Sequence, residues 1–296
     1  MRAKMGWCAI CVVMLGLPAR GQAECTLTEL WKVSEGLDMP ESVAYDPVDN
    51  VLYVSNIRGK PAEKDGNGTI TKVSMEGKVL VAAWASGLNA PKGLAIAGRH
   101  LYAADIDELV EIDLATAMIT ARHPTPGAVF LNDVAAHADG RVFTSDTGMG
   151  GIYCLSNGKV EVWLKQKSIR WPNGLAAERD RLVVAAGDET GKRFGAESYL
   201  RAISYDKKEI TTLIDLKPRC GLDGVQSDGH AGYLVTDWGL GKLMRATADG
   251  QTAILAQPGQ GTADFVYLPE KNLLLLPVMT KNLLIAYQVK WDEKDR

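Results

Sequence analysis

The chain has 296 residues, 46% hydrophobic and 23% charged, with 33 basic against 36 acidic side chains and a formal net charge of −3. Such a chain buries a sizeable core and carries no surplus of positive charge, which argues against a surface made to neutralise nucleic-acid phosphates or anionic lipid. Five cysteines are too sparse for a disulfide framework.

In chain order the first element is a leader. Residues 1–23 carry Arg2 and Lys4, an apolar run from Met5 to Leu17, and small residues at Gly21 and Ala23. This is the pattern of a secretory signal peptide cleaved after Ala23, and it predicts an exported protein, periplasmic or extracellular. Loss of Arg2, Lys4 and Arg20 with no acid takes the formal charge from −3 to −6. The run is shorter than the ~20 apolar residues a membrane helix needs, and no later segment reaches that length. Cys8 and Cys11 leave with the leader, so their CxxC spacing carries no redox chemistry. Cys25, Cys154 and Cys220 remain, which allows at most one disulfide.

The mature chain, 24–296, then repeats one pattern six times. The units open with MPESVAYDPVDNVLYVSN at Met39, APKGLAIAGRHLYAAD at Ala90, FLNDVAAHADGRVFTSD at Phe130, WPNGLAAERDRLVVAAGD at Trp171, GLDGVQSDGHAGYLVTD at Gly221 and TADFVYLPEKNLLLLPV at Thr262. Each reads as a short strand, a polar turn and a more hydrophobic strand, followed by a weaker strand pair. Six units of roughly 40 to 50 residues without a sustained helical stripe predict an all-β fold. The expected architecture is a single-domain six-bladed β-propeller, with four-stranded antiparallel blades around a central channel. The sixth unit lacks an outermost strand, and TLTELWKVS from Thr26 is left to supply it and close the ring. In the fourth unit Asn173-Gly174 resembles a tight hairpin turn. Alignment instead puts that turn at Glu178 to Arg181 and makes Asn173 the lead residue of an inner strand.

The same lead position across the six units is Glu41, Lys92, Asn132, Asn173, Asp223 and Asp264. Any one of them reads as an ordinary polar residue entering a strand. Six together are different, because innermost strands border the channel and equivalent positions converge. Glu41 and Asp223 offer charge, Asn132 and Asn173 neutral carbonyl oxygens, and no His or Cys takes part. That set suits a hard divalent cation, Ca²⁺ first, with Mg²⁺, Mn²⁺ or Zn²⁺ as alternatives and a structural zinc site disfavoured. The second strands end in Asn56, Asp105, Asp146, Asp188 and Asp237, read mostly as loop caps, with Asp105 and Asp146 also within reach of a substrate. Inserts at 57–68 and 189–199 are expected to overhang the channel mouth.

The openings PES, LND, PNG and LDG of units one, three, four and five resemble the calcium-dependent six-bladed propeller family of gluconolactonases and regucalcin. Diisopropyl fluorophosphatase and the paraoxonases are more distant in kind. The likeness covers nearly the whole mature chain and is most specific at WPNGLA and LNDV…DGRVFTSDTG. It implies Glu41, Asn173 and Asp223 as metal ligands, Asn132 as a direct or water-mediated ligand, and Asp223 as general base toward a lactone carbonyl. Two departures matter. Sugar-lactone hydrolases of this kind carry Arg two residues before the third-blade Asn, where this chain has Phe130, which favours a more apolar lactone or ester. Lys92 opposes a metal's charge unless it pairs with Asp264 or a substrate carboxylate. Lys92, Phe130, Asp146 and Asp264 are thus the candidate substrate residues. The expected function is an exported metal-dependent lactone or ester hydrolase; the alternative is a non-catalytic propeller that binds through its face. No protein partner is identified.

Overall fold

Short apolar runs form the second strand of every unit, and these strands have no solvent face: Val51–Asn56 and Leu273–Val278 are buried at every residue. Outermost strands alternate instead, as Ile119–Pro124 does between half-buried and exposed positions. Burial therefore falls from the middle of the molecule outward, as expected where radially arranged sheets pack against neighbours on both faces. The computed structural model describes residues 25–187, 198–216 and 221–292. The leader, Asp188, Cys220 and most of the 189–199 insert lie outside the described residues.

Those residues form six four-stranded antiparallel sheets arranged as a ring, a six-bladed β-propeller. The inner strands are Pro40–Asp46, Pro91–Ala97, Leu131–Ala136, Leu175–Ala177, Leu222–Ser227 and Val266–Leu268. The sixth blade closes as expected. Cys25–Val33 pairs antiparallel with Leu283–Trp291, from Cys25 opposite Trp291 to Val33 opposite Leu284. The fourth hairpin also turns where alignment puts it, with the Glu178 amide donating to the Arg181 carbonyl at 2.9 Å.

Among the described residues most of the core is six wedges, one between each pair of adjacent blades, with a smaller cluster of Ile57, Ala90, Ile106 and Met279. Tyr53 and Leu101 meet between blades one and two, Leu109 and Tyr153 between two and three, Phe143 and Leu182 between three and four. Leu200 and Val235 meet between four and five, Leu234 and Leu274 between five and six, Leu52 and Leu275 between six and one. Each such side chain contributes about 1.5–3 kcal/mol by burial, so the closing strand completes an apolar wedge as well as a sheet edge. Cys25 and Cys154 are free thiols, and burial pushes both up to about 11. Among the described residues no helix is long and apolar enough to cross a membrane.

Candidate active site and metal centre

The ring residues owe their direction to a repeated irregularity. In blades one, two, three and five the residue before the ring position pairs with the last residue of the second strand: Pro40 with Asn56, Pro91 with Asp105, Leu131 with Asp146, Leu222 with Asp237. The ladder then slips, and pairing resumes at Val43, Leu94, Val134 and Val225. Two inner-strand residues thus face one partner, a β-bulge, which re-aims side chains at the channel. In three blades a hydroxyl on that single partner accepts the amide the bulge frees. Ser42 donates to Ser55 at 2.9 Å, Asp133 to Ser145 at 3.0 Å and Gly224 to Thr236 at 2.8 Å. The signal was present in VSN, TSD and VTD, a hydroxyl one place before the cap, although it carries no chemistry of its own.

Close packing of the inner strands explains the small residue after several ring positions. A Cβ on Gly174 would lie 2.0 Å from the Asp223 carbonyl oxygen, and one on Gly93 would lie 2.4 Å from Asp133 Cα. Gly174 therefore serves the approach of blade five, and not a hairpin turn.

Five ring residues, Glu41, Lys92, Asn132, Asn173 and Asp223, line one cavity of about 240 Å³. The two carboxamides are held by their NH₂ groups. Asn132 Nδ2 donates to Thr147 Oγ1 at 3.0 Å, and Thr147 in turn donates to the Pro172 carbonyl at 2.7 Å. Asn173 Nδ2 donates to the Leu222 carbonyl at 3.1 Å. Both carbonyl oxygens are thereby left over. Asn132 Oδ1, Asn173 Oδ1 and Glu41 Oε2 are all buried without a hydrogen-bond partner. A buried unsatisfied oxygen costs about 1–3 kcal/mol, and three lining one cavity form a donor set fitted to a hard cation. Among the described residues no group of three or more His, Cys, Asp or Glu could hold a metal ion. The oxygens here come from a mixed carboxylate and carboxamide set, which is why the fit rests on the unpaired atoms.

The charge pattern has the same sense. Burial, then Asp223 and Asp264, hold the Glu41 carboxyl well above the usual carboxylate range. Asp223 is pushed up to about 8 by burial and then Asp264, with the Asn173 amide pulling it back. Positive charge in the cavity would reverse these shifts. Lys92 is 2% exposed; burial lowers it to about 8 against the fields of Glu41 and Asp105. Its ammonium donates to the Ala90 carbonyl at 3.0 Å and sits 4.4 Å from the Phe130 ring centre. Phe130 thus occupies the expected Arg position and faces the cavity, and its ring, together with a backbone carbonyl, holds Lys92 instead of Asp264.

Three sequence candidates are placed elsewhere. Asp146 does not line the cavity; its carboxylate accepts the backbone amides of Val129, Phe130, Gly148 and Met149, so it caps the loops that present Phe130. Asp105 similarly accepts from Asn89 and Ala90. Asp264 lies deeper, lining with Asp133 a second cavity toward the other end of the channel. There it accepts Ser42 Oγ at 2.6 Å, and burial raises it to about 6. Residues that the ring alignment did not find complete the mouth. Trp171, Trp238, Met279 and Ile57 form apolar walls, with Trp171 in the left-handed region at φ 45°. Of the 57–68 insert, Ile57 and Pro61 reach the cavity and Lys64 pairs with Asp107 at 2.6 Å.

The family model described as the SMP-30/Gluconolactonase/LRE-like region matches residues 39–269. The chain belongs to that family. Among solved structures, the SMP-30/gluconolactonase fold recurs in a calcium-binding regucalcin from Agrobacterium tumefaciens at 21% identity and TM-score 0.64, covering 88% of this chain and 94% of that one. It recurs in a gluconolactonase from Xanthomonas campestris at 14% identity and TM-score 0.68, covering 89% of each chain. A virginiamycin B lyase from Staphylococcus aureus matches at 12% identity and TM-score 0.62, over 90% of this chain and 99% of that one. At these identities the likeness shows the fold alone. No curated protein matches significantly.

Proposed function

We propose that this protein is an exported, divalent-cation-dependent hydrolase of lactone or related ester bonds, with Ca²⁺ the best-suited ion. The leader at 1–23 is the ground for export. Family membership and the regucalcin and gluconolactonase neighbours support the reaction class. The observation that carries the reading is local: three buried, unpartnered oxygens of Glu41, Asn132 and Asn173 line one cavity with Asp223.

Glu41, Asn132, Asn173 and Asp223 would hold the ion, which when bound supplies Lewis-acid polarisation of the carbonyl and a lower pKa for water. The remaining work falls to side chains. Asp223, oriented by Asn173, takes the proton of the attacking water in its ionised form. Thr147 and the Leu222 carbonyl lock the two carboxamides with their oxygens toward the cavity. Phe130, Trp171, Trp238 and Met279 offer apolar walls where a sugar would want donors, which favours an apolar lactone or ester.

Calorimetry with Ca²⁺ and a chelator-sensitive assay on aliphatic lactones and aryl esters test this. Binding, and hydrolysis abolished by chelator and restored by Ca²⁺, are expected. A purified protein that neither binds the ion nor hydrolyses any of them would overturn the proposal.

A further inference from the structure

Asp223 and Lys92 belong to blades five and two. Consecutive blades are neighbours around the ring, and its first and last blades also meet, so these two stand diametrically opposite across the channel. Both line the same cavity. The Lys92 ammonium has three N–H groups, of which one donates to the Ala90 carbonyl at 3.0 Å while the Phe130 ring covers another side. A buried ammonium held by one neutral carbonyl and one aromatic face keeps donor capacity for something that enters the cavity. If packing alone were required, an apolar side chain would fill the position without the cost of burying charge.

We infer that Lys92 is the general acid of the reaction, protonating the leaving alkoxide on the side of the cavity opposite the base Asp223. The inference rests on the hydrolase reading above. Water adds its oxygen to the carbonyl carbon and gives one proton to Asp223. The acyl C–O bond breaks with its electron pair on the alkoxide oxygen, which takes a proton from the Lys92 ammonium. A hydroxy acid leaves, and the proton on Asp223 returns through solvent to the Lys92 amine. Burial lowers the Lys92 pKa, the direction that makes an ammonium a better proton donor. Phe130 acquires a role as well: its ring holds the ammonium toward the substrate, where an Arg at that position would repel it.

Leaving-group chemistry tests the inference. An aliphatic lactone expels a poor, strongly basic alkoxide and depends on the acid, whereas a nitrophenyl ester expels a stable phenoxide. Lys92→Met should lower kcat/KM for aliphatic lactones by roughly 10²-fold or more, with a loss at least about tenfold smaller for nitrophenyl esters. Lys92→Arg keeps the charge but is a poor proton donor and should not restore the lactone rate. Calorimetric Ca²⁺ affinity of Lys92→Met should equal or exceed that of the wild type, because a repelling charge is removed. Equal losses on both substrate types, recovery by Lys92→Arg, or loss of Ca²⁺ binding in Lys92→Met would each overturn the assignment. Absence of hydrolysis by the wild type on both substrates would instead remove the hydrolase reading beneath it.

Discussion

Two tiers of polar groups occupy the same channel, and they are treated in opposite ways. In the deeper tier every carboxylate is used by the protein. Asp133 accepts the Leu175 amide of blade four and its own neighbour Val134, each at 2.6 Å, and Asp264 accepts Ser42 Oγ. Ser42 Oγ also accepts the Leu94 amide, so this tier ties blades six, one and two, and three to four. In the upper tier Glu41, Asn132 and Asn173 each keep an oxygen that nothing in the protein satisfies. Both tiers are buried or half-buried, and both contain carboxylates. What separates a structural carboxylate from a candidate ligand is whether its lone pairs are already taken.

The comparison can be broken most sharply from the upper tier. Asp223→Asn should lower hydrolysis by about 10³-fold or more while leaving the cation-free melting temperature nearly equal below about pH 8, where the carboxyl is protonated, and higher above it, where a buried charge is lost. Kinetics with a thermal melt would show both. A large fall in cation-free stability would instead place Asp223 with the structural tier.

Next in size is backbone crowding between blades four and five. Gly174→Ala sets a methyl 2.0 Å from the Asp223 carbonyl and should destabilise by about 3 kcal/mol, measured by denaturant unfolding. Because that carbonyl belongs to a candidate ligand, Ca²⁺ affinity should fall as well.

The lower tier gives the converse result. Asp133→Ala removes the acceptor of two buried amides and should cost about 1–3 kcal/mol in the presence or absence of Ca²⁺ alike. A loss that Ca²⁺ addition rescues would join the two tiers into one site.

The smallest effect is in pH. Burial raises Asp223 to about 8 and Asp264 to about 6, so between the unfolded carboxylate range and these values the native protein holds protons that the unfolded chain has released. Stability of the cation-free protein should therefore fall as pH rises from about 4 to 8. Saturating Ca²⁺ should remove the portion near 8 and leave the portion near 6, if only the upper tier binds. Melts across that range, with chelator and with Ca²⁺, are the measurement.

Much of the candidate site's lining was legible because propeller repetition makes one aligned position a ring in space. Glu41, Asn132, Asn173 and Asp223 could be found that way although no two of them are near in sequence. Asp146 and Asp264 show where that reasoning ends. Asp146 has the residue type of a site group, yet four backbone amides consume it, and which amides curl toward a carboxylate depends on loop geometry. Asp264 holds the aligned position, but its side chain turns to Ser42 and the deeper cavity. Trp171 shares with Phe130 the place two before the ring residue, and Trp238 shares with Ile57 and Thr147 the place after the second-strand cap, but apolar side chains there read as ordinary packing until the loops fold over one cavity.

The sequence by itself determined the six-fold repeat, the four-strand unit, the closure by the segment from Thr26 and the chemistry of the ring, since these follow from alternation, spacing and side-chain type. Tertiary structure alone decided which oxygens are spent and which are left. That outcome depends on partners such as Thr147, Leu222 and Leu175, brought from other blades or loops to within a hydrogen bond of each ring or sub-ring residue. Lone-pair occupancy is a property of three-dimensional neighbours, and no linear pattern encodes it.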